Sequence, residues 1–161
     1  MTILTASTTN EASVRPVLRL GLLGVGNVGQ GVIDVLTRNG GEIERRAGQA
    51  IRVVAASRRN VAALKALADV GVRTTDDPGA VVRDPEVDVV VELIGGTTLA
   101  KQLVLEAISL GKHVVTANKA LLAEHGTEIF AAAQKAGVIV AFEAAVAGGI
   151  PIIKALREGL T

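Results

Sequence analysis

Short apolar runs alternate along the chain with stretches whose apolar residues recur at helical spacing. Arg19–Leu23, Ile51–Ala56, Val72–Thr74, Val87–Ile94, His113–Thr116 and Val138–Phe142 read as strands. Val28–Thr37, Val61–Val70, Leu99–Leu110 and Ala120–Ala136 read as helices between them. Ala80–Arg83 reads as one helical turn, ended by Asp84-Pro85, and Ile152–Gly159 as the start of a last helix. Asn39-Gly40-Gly41 predicts a turn, with Glu42–Ala47 as a separate short helical piece. Gly111 suits the left-handed cap of the helix before it. Strands alternating with helices predict βαβ units, and hence an α/β fold: a doubly wound parallel sheet with helices on both faces.

The organisation is that of one domain. Residues 1–14 are rich in Thr, Ser and Asn and are expected to form a flexible N-terminal tail. Residues 15–150 are expected to form the domain, and 151–161 the start of a connection to a second domain outside this chain. A helix cut just after Gly159-Leu160 is expected to mark a piece of a longer protein.

Composition narrows the function classes. The chain has 161 residues, 49% of them hydrophobic, and 17 Lys+Arg against 16 Asp+Glu for a net charge of +1. One domain fits this length and a second full one does not. The balanced charge argues against nucleic-acid binding, and the apolar fraction against disorder. With no cysteine there is no disulfide framework, thiol nucleophile or Cys-ligated zinc. The apolar runs are short and interrupted by Asp88, Glu92 and Glu143, so no membrane span is expected. No secretory signal is read in the first residues, and a cytoplasmic protein is expected.

Five segments carry chemistry. Gly24-Val25-Gly26-Asn27-Val28-Gly29 follows a predicted strand and opens a predicted helix, the context that a dinucleotide-binding turn requires. Its glycines allow a tight turn, close approach of a pyrophosphate, and packing of helix on strand. The second predicted strand ends at Ser57-Arg58-Arg59, with no acidic residue for a ribose 2′-hydroxyl. Ser57 and the two arginines suit a 2′-phosphate, which favours NADP over NAD; the other reading is a solvated basic turn. The spacing from Gly29 exceeds the usual ~20 residues, and the Gly40-Gly41 loop is expected to account for the excess.

Ile94-Gly95-Gly96 closes the central strand, where ligands of parallel sheets bind. Glu92, inside that apolar run, reads either as a satisfied buried carboxylate or as a lip of the site. In Thr116-Ala117-Asn118-Lys119, Asn118 can cap the next helix. Lys119 then sits at a helix start, where the dipole disfavours a cation, and so is a candidate for contact with nicotinamide or substrate. The segment Glu143-Ala144-Ala145-Val146-Ala147-Gly148-Gly149-Ile150-Pro151 reads either as a linker or as an oxygen cage for a hard cation. His113 and His125 read as structural and solvated respectively.

Four segments in this order and spacing resemble one family: Leu22-Leu23-Gly24-Val25-Gly26-Asn27-Val28-Gly29, Val89-Val90-Val91-Glu92-Leu93-Ile94-Gly95-Gly96, Val114-Val115-Thr116-Ala117-Asn118-Lys119-Ala120-Leu121, and Phe142-Glu143-Ala144-Ala145-Val146-Ala147-Gly148-Gly149-Ile150-Pro151. The chain is similar over residues ~18–160 to the nucleotide-binding portion of homoserine dehydrogenase. The glycine turn is generic; the third and fourth segments are specific.

The resemblance implies a Rossmann-type fold and an oxidoreductase that interconverts L-homoserine and L-aspartate 4-semialdehyde with NADPH or NADH. That reaction lies on the route to threonine, methionine and isoleucine. It implies that the turn at Val25, Gly26, Asn27 and Val28 holds the pyrophosphate, that Arg58 and Arg59 face the 2′-phosphate, and that Ile94, Gly95 and Gly96 lie along the cofactor. It places Lys119 between nicotinamide and substrate, as the catalytic candidate. It implies that Glu143, Val146, Gly148 and Ile150 ligate a sodium ion, mostly through backbone oxygens. It also implies a homo-oligomer at full length, and a substrate domain after the last segment that carries the groups for proton transfer. The chain alone is then expected to bind nucleotide but turn over substrate negligibly. The alternatives are a stand-alone nucleotide sensor, and another semialdehyde or amino-acid dehydrogenase on the same fold.

Overall fold

Period-two alternation sorts the strand residues onto two faces of one sheet. In β1 (Val17–Leu23), Leu20 and Leu22 enter one core cluster and Leu23 the other. In β4 (Val89–Glu92), Val89 and Val91 share the first cluster and Val90 the second. The computed structural model describes residues 17–146, 148 and 150–159. The predicted tail, 1–14, lies outside the described residues. The other strands are β2 (Ala50–Ser57), β3 (Arg73–Thr75), β5 (His113–Thr116) and β6 (Val140–Ala141). All pairings are parallel, in the order β3-β2-β1-β4-β5-β6. The expected doubly wound parallel sheet is therefore present.

The first cluster, with Val25, Ala56 and Leu64, is covered by Val32, Ile33 and Leu36 of α1 (Asn27–Ala47) and by Leu67 of α2 (Lys65–Asp69). The second is closed by Val81 and Val82 of α3 (Pro78–Arg83), Leu103, Val104 and Ile108 of α4 (Thr98–Ser109), and Leu121 and Ile129 of α5 (Lys119–Ala136). Two short helices follow, α6 (Glu143–Val146) and α7 (Ile152–Gly159). No helix among the described residues is long and apolar enough to cross a membrane.

Three local readings need correction. Asn39-Gly40-Gly41 forms no turn: α1 runs unbroken for 21 residues and ends only at Gly48, whose φ of 74° is the left-handed cap. Each interior glycine costs about 1 kcal/mol against alanine. The packing of Val32, Ile33 and Leu36 in the preceding turns anchors the helix, and the ion pairs of Glu42 with Arg45 and Arg46 in the last turns offset part of the cost. The long spacing from Gly29 to β2 is thus helix, not loop. The expected helix Val61–Val70 is split into a 3-10 turn, Val61–Leu64, and α2. The expected strand Val138–Phe142 pairs only at Val140 and Ala141 before the chain turns into α6, where the Ala145 N–H donates to the Phe142 carbonyl at 2.9 Å.

The N-terminal edge of the sheet is locked by charge. The Arg19 guanidinium donates to Asp88 at 2.7 and 2.9 Å, and the Arg19 backbone N–H donates to the same carboxylate at 2.9 Å. The Arg19 guanidinium thereby holds the Asp88 carboxyl below the usual carboxylate range. Nearby, the Lys112 ammonium is buried and donates to the carbonyls of Asp84 and Val87. Burial lowers its pKa from the ordinary lysine value.

Candidate functional site

Six parallel strands bring their carboxyl ends to one edge, and the winding reverses between β1 and β4. A crevice opens at such a reversal. Gly24 leaves β1 there with φ 92°, and its N–H donates to the Ser57 carbonyl at 3.1 Å. A side chain at Gly24 would meet the Leu93 carbonyl at 3.1 Å as well as strain the backbone. Gly29 lies one turn into α1, and a Cβ there would sit 2.5 Å from the Gly24 carbonyl oxygen. It is the glycine that lets helix approach strand.

Gly26 differs from both. Its φ of −91° suits any residue, and a Cβ on it would meet nothing within 4 Å. Neither space nor backbone within the chain demands glycine there, so the turn leaves room for a group to lie against it. Gly26 is also the N-cap of α1, with no side-chain hydrogen bond and no acidic residue in the first turn. By contrast, α3 and α5 are capped by Asp77 and Asn118. The first-turn N–H groups of α1 are left free for an anion, which the helix dipole also favours.

A cleft of about 630 Å³ runs across this edge, lined by Gly24, Val25, Gly26, Ser57, Arg58 and Arg59, and also by Leu93, Ile94 and Gly95. Val25 contributes backbone, since its side chain is buried in the core. Ser57 is 2% exposed, and its hydroxyl donates weakly to the Leu22 carbonyl at 3.4 Å. It forms the floor of the cleft. Arg58 and Arg59 are exposed on its wall and make no ion pair among the described residues. Sequence reasoning passed over four further lining residues: Asn60, Asp76, Pro78 and Leu99. Only the β2–β3 pairing, unreadable from motif spacing, brings Asp76 beside Arg58.

A smaller hollow of about 280 Å³ continues past Leu93 and Gly95 to Val28, Glu92, Ala117, Asn118 and Lys119. Val28, 59% exposed, offers it an apolar wall. Lys119 is exposed at the start of α5 and makes no ion pair among the described residues.

Glu92 is fully buried and satisfied. Its Oε1 accepts from the Ile94 and Gly95 N–H groups at 2.9 and 3.3 Å, and its Oε2 accepts from the Thr116 hydroxyl at 2.6 Å. The Thr116 Oγ1 in turn accepts from the Asn118 N–H at 3.0 Å. Asn118 donates through Nδ2 to the Gly96 carbonyl at 2.7 Å and accepts from the Leu121 N–H at 3.1 Å. Gly95 and Gly96, both at positive φ, are thus pinned to the residue before Lys119. The two readings of Glu92 merge: it is a satisfied carboxylate and its task is to hold the lip.

The fourth segment lies apart. The Glu143 Oε1 accepts from the Ile153 and Lys154 N–H groups at 3.0 and 3.4 Å, capping α7, and the Ile150 carbonyl accepts from Ile152 at 2.8 Å. Val146 ends α6 and Gly148 has φ 62°. One carboxylate and several carbonyls suit a hard cation, but two of these oxygens already hold backbone N–H groups. No group of three or more acidic, His or Cys side chains gathers among the described residues.

Known proteins resemble this chain in sequence and fold. Residues 24–143 match the family model described as the NAD-binding domain of homoserine dehydrogenase. A homoserine dehydrogenase of Pseudomonas aeruginosa is 59% identical over 151 residues, covering 92% of this chain and 33% of that protein. One of Neisseria gonorrhoeae is 54% identical over 154 residues, covering 91% of the chain and 33% of that protein. The crystal structure of a homoserine dehydrogenase from Thiobacillus denitrificans superposes with a TM-score of 0.84 at 62% identity, over 91% of this chain and 34% of that one. The chain therefore spans about a third of the length of the relatives it matches.

Proposed function

Because this chain belongs to the homoserine dehydrogenase family, as its NAD-binding domain, we propose that its cleft binds NADP(H) in preference to NAD(H). In the whole protein it would serve the interconversion of L-homoserine and L-aspartate 4-semialdehyde, in threonine, methionine and isoleucine biosynthesis. The observation that carries the nucleotide reading is the uncapped start of α1 at Gly26, where a Cβ would stand in open space inside the cleft. The turn from Gly24 to Gly29 and the free N–H groups of α1 would hold the pyrophosphate. Arg58 and Arg59 would bind a 2′-phosphate with charge-assisted hydrogen bonds. Ile94, Gly95 and Gly96 would flank the cofactor toward the smaller hollow. When bound there, the nicotinamide supplies or accepts the hydride.

The chain's own residues position and polarise. The network of Glu92, Thr116 and Asn118 fixes the Gly95-Gly96 loop relative to Lys119. Val28 lines one side of the hollow and would shield a bound nicotinamide from water there. The Lys119 ammonium would face the substrate oxygen, where it can donate a hydrogen bond and stabilise developing negative charge. No other ionisable side chain free of hydrogen bonds lines that hollow. Turnover by the chain alone is accordingly expected to be negligible. Glu143, Val146, Gly148 and Ile150 would ligate sodium, with the Glu143 Oε1 and the Ile150 carbonyl shared with the backbone N–H groups they now accept from. A homo-oligomer is proposed for the whole protein.

Calorimetric titration with NADPH and NADH tests the reading. Tighter NADPH binding that weakens in Arg58→Ala and Arg59→Ala supports it. Equal affinities would remove the role given to the arginines, and binding of neither nucleotide would overturn the nucleotide site.

A further inference from the structure

We propose that Asp76 sets the coenzyme preference of this cleft, as the carboxylate that β2 lacks, supplied from the end of the neighbouring strand. The proposal rests on the nucleotide reading above. A carboxylate at the end of β2 commonly accepts from the ribose 2′-hydroxyl of NAD, and β2 ends instead in Ser57-Arg58-Arg59. The β2–β3 pairing carries a carboxylate to the same place. Ser57 is in register with Thr75, and the Arg58 N–H donates to the Thr75 carbonyl at 3.0 Å. Asp76 follows directly, exposed, on the wall that also holds Arg58, Arg59 and Asn60.

The neighbouring acids are committed elsewhere. The Asp77 N–H donates to the Thr75 Oγ1, and the Asp77 carboxylate caps α3 through Gly79 and pairs with Arg83. Asp84 pairs with Arg73. Asp76 alone of these makes no hydrogen bond or ion pair among the described residues, and it pairs with neither cleft arginine. Among the described residues it is the one acidic side chain lining this cleft. A carboxylate only accepts hydrogen bonds: it favours a hydroxyl, which can donate, and repels a phosphate dianion. The guanidinium groups of Arg58 and Arg59 have the opposite preference. The cleft thus holds two opposed selectors, and the ratio of NADPH to NADH affinity reads their balance.

The test titrates the 161-residue chain and its Asp76→Asn and Asp76→Ala variants with NADPH and with NADH at low salt. In both variants NADPH is expected to bind about fivefold more tightly, the scale of one exposed charge pair. NADH should bind no better than to the parent chain. Added salt should shrink the NADPH gain. A parallel change for both nucleotides, or no change for either, overturns the role of Asp76 while leaving the nucleotide site standing. Failure of the parent chain to bind either nucleotide overturns the site itself.

Discussion

The Glu92 carboxylate accepts a hydrogen bond from the Thr116 hydroxyl at 2.6 Å, between residues in register on adjacent strands β4 and β5. Through this one bond the two loops that edge the smaller hollow share a support. The Gly95 N–H hangs from one side of Glu92, and the Asn118 N–H from the far side of Thr116. The buried carboxyl group is matched by three donors, so its removal leaves those donors unpaired.

Glu92→Gln is therefore expected to destabilise the chain by about 1–3 kcal/mol, because one oxygen acceptor becomes a donor against Thr116. Thermal unfolding followed by circular dichroism should show a lower midpoint, and NADPH affinity should fall with it as the Gly95-Gly96 loop loosens. An unchanged midpoint would show that the network carries no weight.

The two glycines of the first turn separate folding from binding. Gly29→Ala places a Cβ 2.5 Å from the Gly24 carbonyl oxygen and should cost about 1–3 kcal/mol through forced backbone movement. Gly26→Ala meets no protein atom, so its stability should change by no more than about 1 kcal/mol while NADPH binding is lost. Comparing melting midpoints with calorimetric titrations checks both.

Lys119→Met should leave the melting midpoint of the chain nearly unchanged, since the ammonium is exposed and unpaired among the described residues. In the whole protein the same change should lower kcat by about 10²–10⁴-fold, the range for loss of one positioned proton or charge donor. Steady-state homoserine oxidation measures it, and activity equal to wild type would remove Lys119 from the chemistry.

Acid stability should report the Arg19–Asp88 lock. The folded-state pKa of Asp88 is held down by the Arg19 hydrogen bond, so its contribution is complete above the unfolded value near 3.9 and is lost as pH falls through the lower folded value. Asp88→Asn should lower the melting midpoint at pH 7, and the difference from the parent chain should shrink progressively as pH falls below the unfolded value. Equal loss at every pH would mean that packing rather than charge is what the variant removes.

What sequence could reveal here was set by how local each signal is. The strand-turn-helix passage through the glycine turn and the Asn118 cap involve residues close in the chain and read correctly, whereas the strand expected over Val87–Ile94 is confined to Val89–Glu92. The helical state of Gly40 and Gly41 was hidden because it depends on how Ile33 and Leu36 pack on the sheet below. Glu92 stayed ambiguous because its partner Thr116 is 24 residues away. Asp76 was missed because only strand pairing places it beside Arg58. The Glu143 segment read either as a linker or as an oxygen cage, and the capping of α7 by its carboxylate was hidden because it is a contact with residues ten and eleven positions on.

The central claim is that one edge of this sheet is a nicotinamide-nucleotide site, and amide chemical-shift mapping during NADPH titration tests it most directly. Saturable shifts are expected at Gly24 to Gly29, Arg58, Arg59, Asp76, Ile94 to Gly96 and Lys119, with none at Arg19, Asp88 or Lys112 on the opposite edge. Saturable shifts centred on that opposite edge, or no saturable shifts at all, would contradict it.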